Sequence, residues 1–205
     1  MGVSNRSAEP GRSDARANRR RVLEAARSAL REQGPDAEVR EIAQRAGVGL
    51  ATIYRGFGNK EGLLAAMAEQ VKNDVLDLFS AAEMQAQPAE GLRRFLVDAI
   101  GYVEAHGPLF DILADHFRGE GRDMHLELSQ GRDMHLEFSA RLRTLIERGI
   151  AAGDLRADLN LDVVEHLIFS SLVSIAHSRE LTPRVGAQEF ARSMLSLLTA
   201  PREPT

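Results

Sequence analysis

The 205-residue sequence contains no cysteine, so neither a disulfide nor a thiolate metal site can stabilise the fold, and the chain suits a reducing cytoplasm. It also lacks long apolar runs, and none approaches the roughly 18 residues that a membrane-spanning helix needs. No apolar segment of the secretory type follows the basic N-terminus. We therefore expect a soluble, cytoplasmic protein that makes no contact with a membrane.

The patterns that mark common enzyme and metal sites are missing as well. We find no glycine loop of the phosphate-binding kind and no nucleophile with an acid–base pair. No two histidines have the i, i+4 spacing that places two metal ligands on one helical face; the central ones are His106, His116, His125 and His135. We expect no enzyme, no cofactor and no metal site. A hydrolase that uses the two Asp-Met-His sequences is the less favoured alternative.

Charge is divided unevenly along the chain. The first 60 residues hold 12 Lys and Arg against 7 Asp and Glu, whereas the remaining residues hold 14 against 23. The net charge of −4 therefore hides a basic first third on an acidic remainder. This distribution predicts that the N-terminal end meets a polyanion.

The stretch from Val39 to Leu64, VREIAQRAGVGLATIYRGFGNKEGLL, has the pattern of two short helices joined by a glycine turn. A first apolar stripe has helical spacing and consists of Val39, Ile42, Ala43 and Ala46. Gly47 can adopt the left-handed conformation that ends a helix, and Val48 then fills the corner. Such a helix-turn-helix places its second helix in the DNA major groove.

The second helix is expected to begin after Gly49, with Ile53 and Phe57 facing inward. Asn59 is a suitable N-cap for the next helix, which places Lys60 in that helix's first turn. Five residues remain free to face outward, namely Leu50, Ala51, Thr52, Tyr54 and Arg55.

The segments IAQRAGV, ATIYRGF and NKEGLL together resemble the DNA-binding domain of the tetracycline-repressor (TetR) family of transcriptional regulators, over roughly residues 16 to 70. The resemblance implies an all-α fold, with an N-terminal three-helix DNA-binding domain joined to a larger helical domain for ligand binding and dimerisation. It also implies the DNA contacts, which are Arg40, Gly49, Leu50, Ala51, Thr52, Tyr54, Arg55 and Lys60.

Within that set the implied roles differ. Leu50, Ala51 and Thr52 lie nearest the base edges, and Arg55 can make a bidentate contact to guanine, with Arg40 as the second candidate. Tyr54 and Lys60 resemble the phosphate anchors of the family. The sequence departs from the family at three places: Glu38 would repel a phosphate, Gly56 replaces a common histidine, and Gly49 replaces the commoner Ser or Thr cap.

The predicted domain order is a disordered arm over residues 1–14, a helix-turn-helix domain over 15–62 and the helical domain over 63–205. The first helix should run from Ala15 to Gln33, with Asp36 as the cap of the second. In the helical domain, Gln87-Pro88, Gly107-Pro108 and the segment 119–121 are expected to interrupt helices. A ten-residue tandem repeat, GRDMHLELSQ-GRDMHLEFSA, covers residues 121–140. A continuous helix fits it better than a β-hairpin, which is the alternative.

The resemblance further implies a small-molecule effector inside the helical domain of each subunit. Because few charged residues occur there, we expect an apolar or aromatic ligand. The candidate lining residues are also good core residues, and they are Phe95, Tyr102, His106, Phe110, Phe117, Met134, His135 and Phe138.

A final helix pair should follow the turn at residues 153–158, with Thr182 and Pro183 starting the last helix. The family packs this pair against a second copy, which implies a homodimer on a pseudo-palindromic double-stranded operator. The pair could instead close the core of the monomer. The expected dimer residues are Leu161, Val164, Ile168, Ser171, Leu172, Ile175, Phe190, Met194, Leu197 and Leu198.

Overall fold

The computed structural model describes the backbone of residues 10–119, 124–177 and 186–199. Within these ranges, the side chains of residues 10–13, 108, 111–119, 124–135, 173, 176 and 177 are not described. The described elements are helical throughout, which confirms the all-α class. They are α1 (Pro10–Gln33), a 3-10 turn (Gly34–Asp36), α2 (Val39–Ala46), α3 (Leu50–Phe57), α4 (Lys60–Glu83), α5 (Pro88–Gly119), α6 (Met124–Ala151), α7 (Leu161–His177) and α8 (Ala187–Leu198).

The chain divides after Gln70 into two compact units, which we call the head (residues up to 70) and the body (residues from 71). Helix α4 begins in the head and ends in the body. The predicted division between residues 62 and 63 also falls within α4, and as a functional boundary it stays a prediction.

Helix α1 begins earlier than its sequence pattern predicts. It starts at Pro10 rather than Ala15, so the residues from Pro10 to Asp14 belong to a helix and not to a disordered arm. Proline is favoured in a first helical turn because its missing N–H would have no intrahelical partner there. The first nine residues of the predicted arm lie outside the described part of the chain.

The cap of α2 also differs from the prediction. Asp36 closes the 3-10 turn, and Glu38 is the N-cap of α2, with no hydrogen bond from its side chain to the helix. The carbonyl of Glu38 accepts hydrogen bonds from the amides of Glu41 and Ile42, both at 3.1 Å. Asp36 cannot cap α2 because it belongs to the 3-10 turn, and the fully buried Ala37 follows that turn before α2 begins at Val39.

The helix-turn-helix corner follows the sequence prediction. Gly47 is left-handed, with φ at 63°, and its amide bonds back to the carbonyl of Gln44 at 3.1 Å. Ile42, Ala43 and Ala46 are buried. Gly49 is the N-cap of α3, as expected.

The body is organised around aromatic rings. Phe79 and Phe95 stack with their ring centroids 4.1 Å apart, and Phe138 meets them edge-on at 5.2 and 5.8 Å. Phe169 adds a further edge contact to Phe138 at 5.5 Å. Helix α5 carries an apolar stripe that is buried throughout and that, except for Val103, belongs to the same core cluster: Leu92, Phe95, Leu96, Ala99, Ile100 and Val103.

Helix α5 begins at Pro88, as predicted, but it does not stop at Gly107-Pro108 and continues to Gly119. The predicted break is therefore wrong. A proline inside a helix removes one backbone hydrogen bond, and burial of apolar side chains on both sides offsets that cost. Val103 and Leu109, which flank the pair, are 8% and 3% exposed.

Helix α6 covers the tandem repeat from Met124 onward, so the helical interpretation is confirmed and the hairpin alternative is wrong. The first three residues of the repeat lie outside the described residues. Phe138, in the second copy, is buried in the aromatic cluster, whereas Leu136 is 56% exposed. Leu136 and Phe138 are only two positions apart, and in a helix this spacing places them on different faces.

Five of the ten predicted dimer residues do not lie on the surface of the chain. They are buried in the core of the chain itself, and they are Val164, Ile168, Leu172, Met194 and Leu198. Because the most apolar stripe of a helix packs first against its own chain, the prediction selected the inward faces of α7 and α8. The predicted start of the last helix at Thr182 and Pro183 lies outside the described residues, and the described helix begins after Gly186.

No helix in the described part of the chain is long and apolar enough to cross a membrane.

Candidate nucleic-acid interface

Helix α3 is held in the head by one fully buried side chain, that of Ile53. Around it, Leu50 and Thr52 are half-buried, and Tyr54 is 47% exposed. Arg55 is exposed and donates to the Thr52 hydroxyl over 3.4 Å, which is at the long limit of a hydrogen bond. A helix anchored on one side leaves its other side open, as a recognition helix requires.

The corner between α3 and α4 is closed by a cap that the sequence predicted. The Asn59 side chain accepts a hydrogen bond from the amide of Gly62 at 2.8 Å. Gly58, at φ 79°, makes the turn. Gly62 lies so close to α3 that a Cβ on it would be 1.9 Å from the Phe57 carbonyl oxygen. Glycine at 62 therefore permits a tight corner at the end of the recognition helix.

A groove of about 340 Å³ opens between the start of α2, the start of α3 and the start of α4. Four predicted DNA contacts line it together, namely Arg40, Leu50, Tyr54 and Lys60. The structure thus brings together residues from three helices that are up to 20 positions apart in sequence. Outside the groove lining, Gly49, Ala51 and Arg55 are exposed and Thr52 is half-buried.

Lys60 already has a partner in this groove. Its ammonium group donates to the carbonyl of Pro35 at 2.6 Å, which ties the start of α4 to the 3-10 turn. An ammonium has three donors, so one bond to a carbonyl leaves two that can meet a phosphate. Lys60 can therefore hold the local backbone and an anion at the same time.

The groove also contains two carboxylates, those of Asp36 and Glu38. Glu38 is exposed at the N-terminus of α2, where a helix attracts anions. A fixed negative charge at that position competes with a phosphate for the same amides. The structure therefore supports the expectation that this helix end contributes less to DNA affinity than a neutral cap would.

An ion-pair network that was not predicted from the sequence joins α1 to α2. The guanidinium of Arg45 bonds to Glu41 at 2.6 Å and to Glu32 at 2.8 Å, and Gln33 donates to Glu41 at 2.7 Å. The bond from Gln33 and then that from Arg45 hold the pKa of the Glu41 carboxyl below its ordinary 4.5. Arg45, with help from Ser28, lowers the pKa of Glu32 in the same way. The i, i+4 spacing of Glu41 and Arg45 was the available signal.

A second missed contact lies at the far end of α3. The guanidinium carbon of Arg19 is 4.8 Å from the ring centroid of Phe57, the last residue of α3, which is a cation–π distance. Nothing in the sequence spacing identifies this pair, because 38 positions separate the two residues.

In the body, the predicted ligand residues fall into three groups. Phe95 and Phe138 pack in the aromatic core, which we take as their role. Tyr102, His106 and Phe110 are half-buried and form a separate aromatic group on α5. The Tyr102 hydroxyl donates to Asp74 of α4 at 2.8 Å. The side chains of Phe117, Met134 and His135 lie outside the described part of the chain.

Among the described residues, no group of three or more His, Asp or Glu side chains could hold a metal ion.

These features define a class of protein: a helix-turn-helix DNA-binding protein with a helical body. Residues 22–67 match the sequence profile of the bacterial regulatory proteins of the tetR family. The chain is 30% identical over 162 residues to the uncharacterized HTH-type transcriptional regulator YdeS of Bacillus subtilis, covering 74% of each protein. It is 25% identical over 161 residues to the HTH-type transcriptional regulator NfxB of Pseudomonas aeruginosa, covering 78% of this chain and 81% of that one.

The fold agrees with these sequence matches. A crystal structure of a TetR transcription regulatory protein from Mycobacterium vanbaalenii matches 93% of this chain and all of its own, with a TM-score of 0.68 and 28% identity. The chain belongs to the TetR family and is a DNA-binding transcriptional regulator. Its relatives and structural neighbours are regulators and not enzymes.

Proposed function

We propose that this regulator is a repressor, that it binds a pseudo-palindromic operator as a homodimer, and that a small apolar or aromatic ligand releases it. The observation that carries the DNA-binding part is the exposed side of α3 beside a groove lined by Arg40, Tyr54 and Lys60. A ligand can release the protein only by binding one conformation of the dimer more tightly than the other.

For DNA contact we propose two kinds of role. Tyr54 and Lys60 lie in the groove and hold backbone phosphates, which sets the register of the protein on the duplex. Arg55 reads a base edge, assisted by Arg40, because Gly49, Leu50, Ala51 and Thr52 offer little for hydrogen bonding to bases. Base recognition by this helix therefore depends mainly on arginine.

The DNA proposal can be tested by selecting duplexes from a randomised pool with the full-length protein and sequencing them. We expect a two-fold related sequence. Arg55→Ala should relax the base preference at one position of each half-site, whereas Lys60→Gln should weaken binding to all sequences about equally. If the wild-type protein retards no duplex even at low salt, DNA binding itself is wrong. If Arg55→Ala instead lowers the affinity for all sequences equally, Arg55 contacts a phosphate and not a base.

For dimerisation we propose the outward faces of α7 and α8. Val163 and Leu167 are 52% and 51% exposed on α7, and Leu197 is 65% exposed on α8. Exposed Ser170 and Ser174 continue the α7 face. Large apolar side chains exposed together at helical spacing are typical of an interaction surface. Of the residues first predicted, Leu161, Ser171, Ile175, Phe190 and Leu197 remain available for this interface.

The dimer proposal has a matched control in the chain. Leu167→Glu places a charge in the proposed interface, while Leu136→Glu places one at a similarly exposed leucine of α6. Sedimentation should find the first variant monomeric and the second still dimeric. Equal behaviour of the two variants, or a monomeric wild-type protein, would contradict the assignment.

For the ligand we propose a site beside Tyr102, His106 and Phe110. Three aromatic side chains close together on one helix favour a flat or apolar molecule. Thermal-shift screening should find stabilisation by aromatic or apolar compounds, and these should reduce retardation of the selected duplex. Stabilisation by strongly charged metabolites alone would contradict the proposal.

Repression is tested separately, by placing the selected duplex sequence across a promoter in a purified transcription system. Fewer transcripts with the protein present are expected, and more transcripts would identify an activator.

A further inference from the structure

Helix α1 extends well beyond the core of the head. Among the side chains of α1 that the structure describes, which begin at residue 14, the first buried one is Val22. Of residues 14–21, only Asn18 is half-buried and the others are exposed. Eight helical residues correspond to about 12 Å of helix. Burial in the core of the head therefore does not account for the sequence of this part of α1, which we call the α1 extension (residues 14–21).

The α1 extension is strongly basic. Between positions 14 and 21 it carries Arg16, Arg19, Arg20 and Arg21 against the single acid Asp14. The part of the chain that matches the family profile begins only at residue 22, so the extension precedes it. A cluster of one charge sign on an exposed helix indicates a partner of the opposite sign.

Two contacts fix where the extension lies in the head. Arg19 covers the ring of Phe57, at the end of α3. A guanidinium nitrogen of Arg21 lies 4.0 Å from the position that a Cβ on Gly47, in the turn before α3, would occupy. The extension therefore runs beside the helix-turn-helix and not on an unrelated side of the head.

Arg16 and Arg20 occupy one side of this anchored helix. At 100° per residue they lie about 60° and about 100° from Arg19 around the helix axis, in the same sense. Both are exposed, and neither has a hydrogen-bond or ion-pair partner among the described residues. Like charges four residues apart disfavour a helix in isolation, and an anion bound between them would remove that repulsion.

We propose that Arg16 and Arg20 bind backbone phosphates of duplex DNA just outside the base pairs that α3 reads. The proposal rests on the DNA-binding function and extends it to a surface that the helix-turn-helix does not include. Phosphate contacts of this kind carry no sequence information, but they strengthen binding and fix the orientation of the protein. The α1 extension lengthens the DNA footprint of each subunit.

The salt dependence of binding tests this directly, with the full-length protein and a duplex selected by the wild-type protein. Each lost phosphate contact lowers the slope of log K against log salt by about 0.9. Because each substitution is present in both subunits of the proposed dimer, Arg16→Gln and Arg20→Gln should each lower the slope by about 1.8, and the double variant should lower it about twice as much. Glutamine keeps a helix propensity close to that of arginine, so the helix should persist.

Arg31→Gln is the matched control, because Arg31 is an exposed arginine in the last turn of the same helix. Its slope should equal that of the wild-type protein. If Arg16→Gln and Arg20→Gln leave the slope unchanged while the wild-type protein still binds, the proposal is overturned and DNA binding is not. If the wild-type protein binds no duplex at all, the result contradicts the proposed DNA-binding function and not the role of Arg16 and Arg20 alone.

Trimming the DNA gives a second, independent readout. Two duplexes are compared: one ends at the edge of the selected half-sites, and the other carries flanks of about 10 base pairs. The wild-type protein should bind the short duplex as weakly as the double variant binds the long one. On the trimmed duplex, the two proteins should bind alike. An equal loss for the double variant on both duplexes would overturn the proposal, and so would a change in the base sequence that the double variant selects.

Discussion

The head and the body of this protein bury different kinds of side chain. The described core of the head contains no aromatic residue and relies on alanine, with Ala25, Ala26, Ala29, Ala37, Ala43 and Ala46 all buried. The body places Phe79, Phe95 and Phe138 at the centre of its core. Surface ion pairs join helices in both units, through Arg45 in the head and, for example, through Arg141 and Glu83 in the body.

This difference in core side chains matches the different lengths of the helices in the two units. Short side chains let the helices of the head approach closely, so a few turns of helix hold α3 with its outer side free. Large rings in the body fill space between longer helices and bury more apolar area for each residue. We therefore expect the body to be most sensitive to removal of volume and the head to addition of volume.

The largest effect is expected from Phe95→Ala in the body. The ring is fully buried and stacked on Phe79, so its removal leaves a cavity and should lower the free energy of unfolding by about 3–5 kcal/mol. Urea unfolding measures the loss, and hydrogen exchange should locate it in α5 and α6. Phe95→Leu, which keeps more of the volume, serves as the control and should cost less. A loss under about 1 kcal/mol would show that the core closes over the gap.

In the head, the matching change adds volume. Ala26→Leu forces a larger side chain into a position with no exposure, and overpacking of this kind should cost about 1–3 kcal/mol. Ala65→Leu, at an exposed position of α4, is the control and should change the free energy of unfolding by less than about 0.5 kcal/mol. Similar results for the two variants would remove the contrast between head and body.

Two glycines of the head should give smaller changes in the free energy of unfolding, and these changes should have opposite signs. Gly47 has φ at 63°, and a Cβ there would meet only a guanidinium nitrogen of Arg21, at 4.0 Å, so Gly47→Ala should cost about 1–2 kcal/mol through backbone strain. Gly56 lies inside α3 with open space around it, so Gly56→Ala should instead gain about 0.5–1 kcal/mol. Chemical unfolding of the two variants should therefore move in opposite directions, and movement in one direction contradicts this account.

The smallest effect concerns the surface network of the head. The pKa values of Glu32 and Glu41 lie below 4.5 in the folded protein, so their contribution to stability is present above about pH 4.5 and is lost as the pH falls through the lowered pKa values. Arg45→Met should flatten this part of the pH dependence. Thermal unfolding followed from neutral pH to about pH 3 measures it. An unchanged profile would show that the network does not affect stability.

Much of the head follows from its sequence. Gly47 and Gly49 mark the turn, Asn59 marks the cap of α4, and the spacing of Ile42, Ala43 and Ala46 selects the buried face. These features are local, since a turn conformation, a cap or a helical face depends on residues within a few positions of each other. The family and the all-α class were accessible for the same reason, because the motif is short and its spacing is strict.

The tertiary structure decided what local rules leave open. Val164 and Leu167 are equally apolar in sequence, yet one is 4% and the other 51% exposed, because a helix with apolar residues on two sides does not specify which side packs inward. Helix α5 passes through Gly107-Pro108 because burial on both sides outweighs one lost hydrogen bond. The contacts of Lys60 with Pro35 and of Arg19 with Phe57 join distant parts of the chain, and only packing brings those parts together.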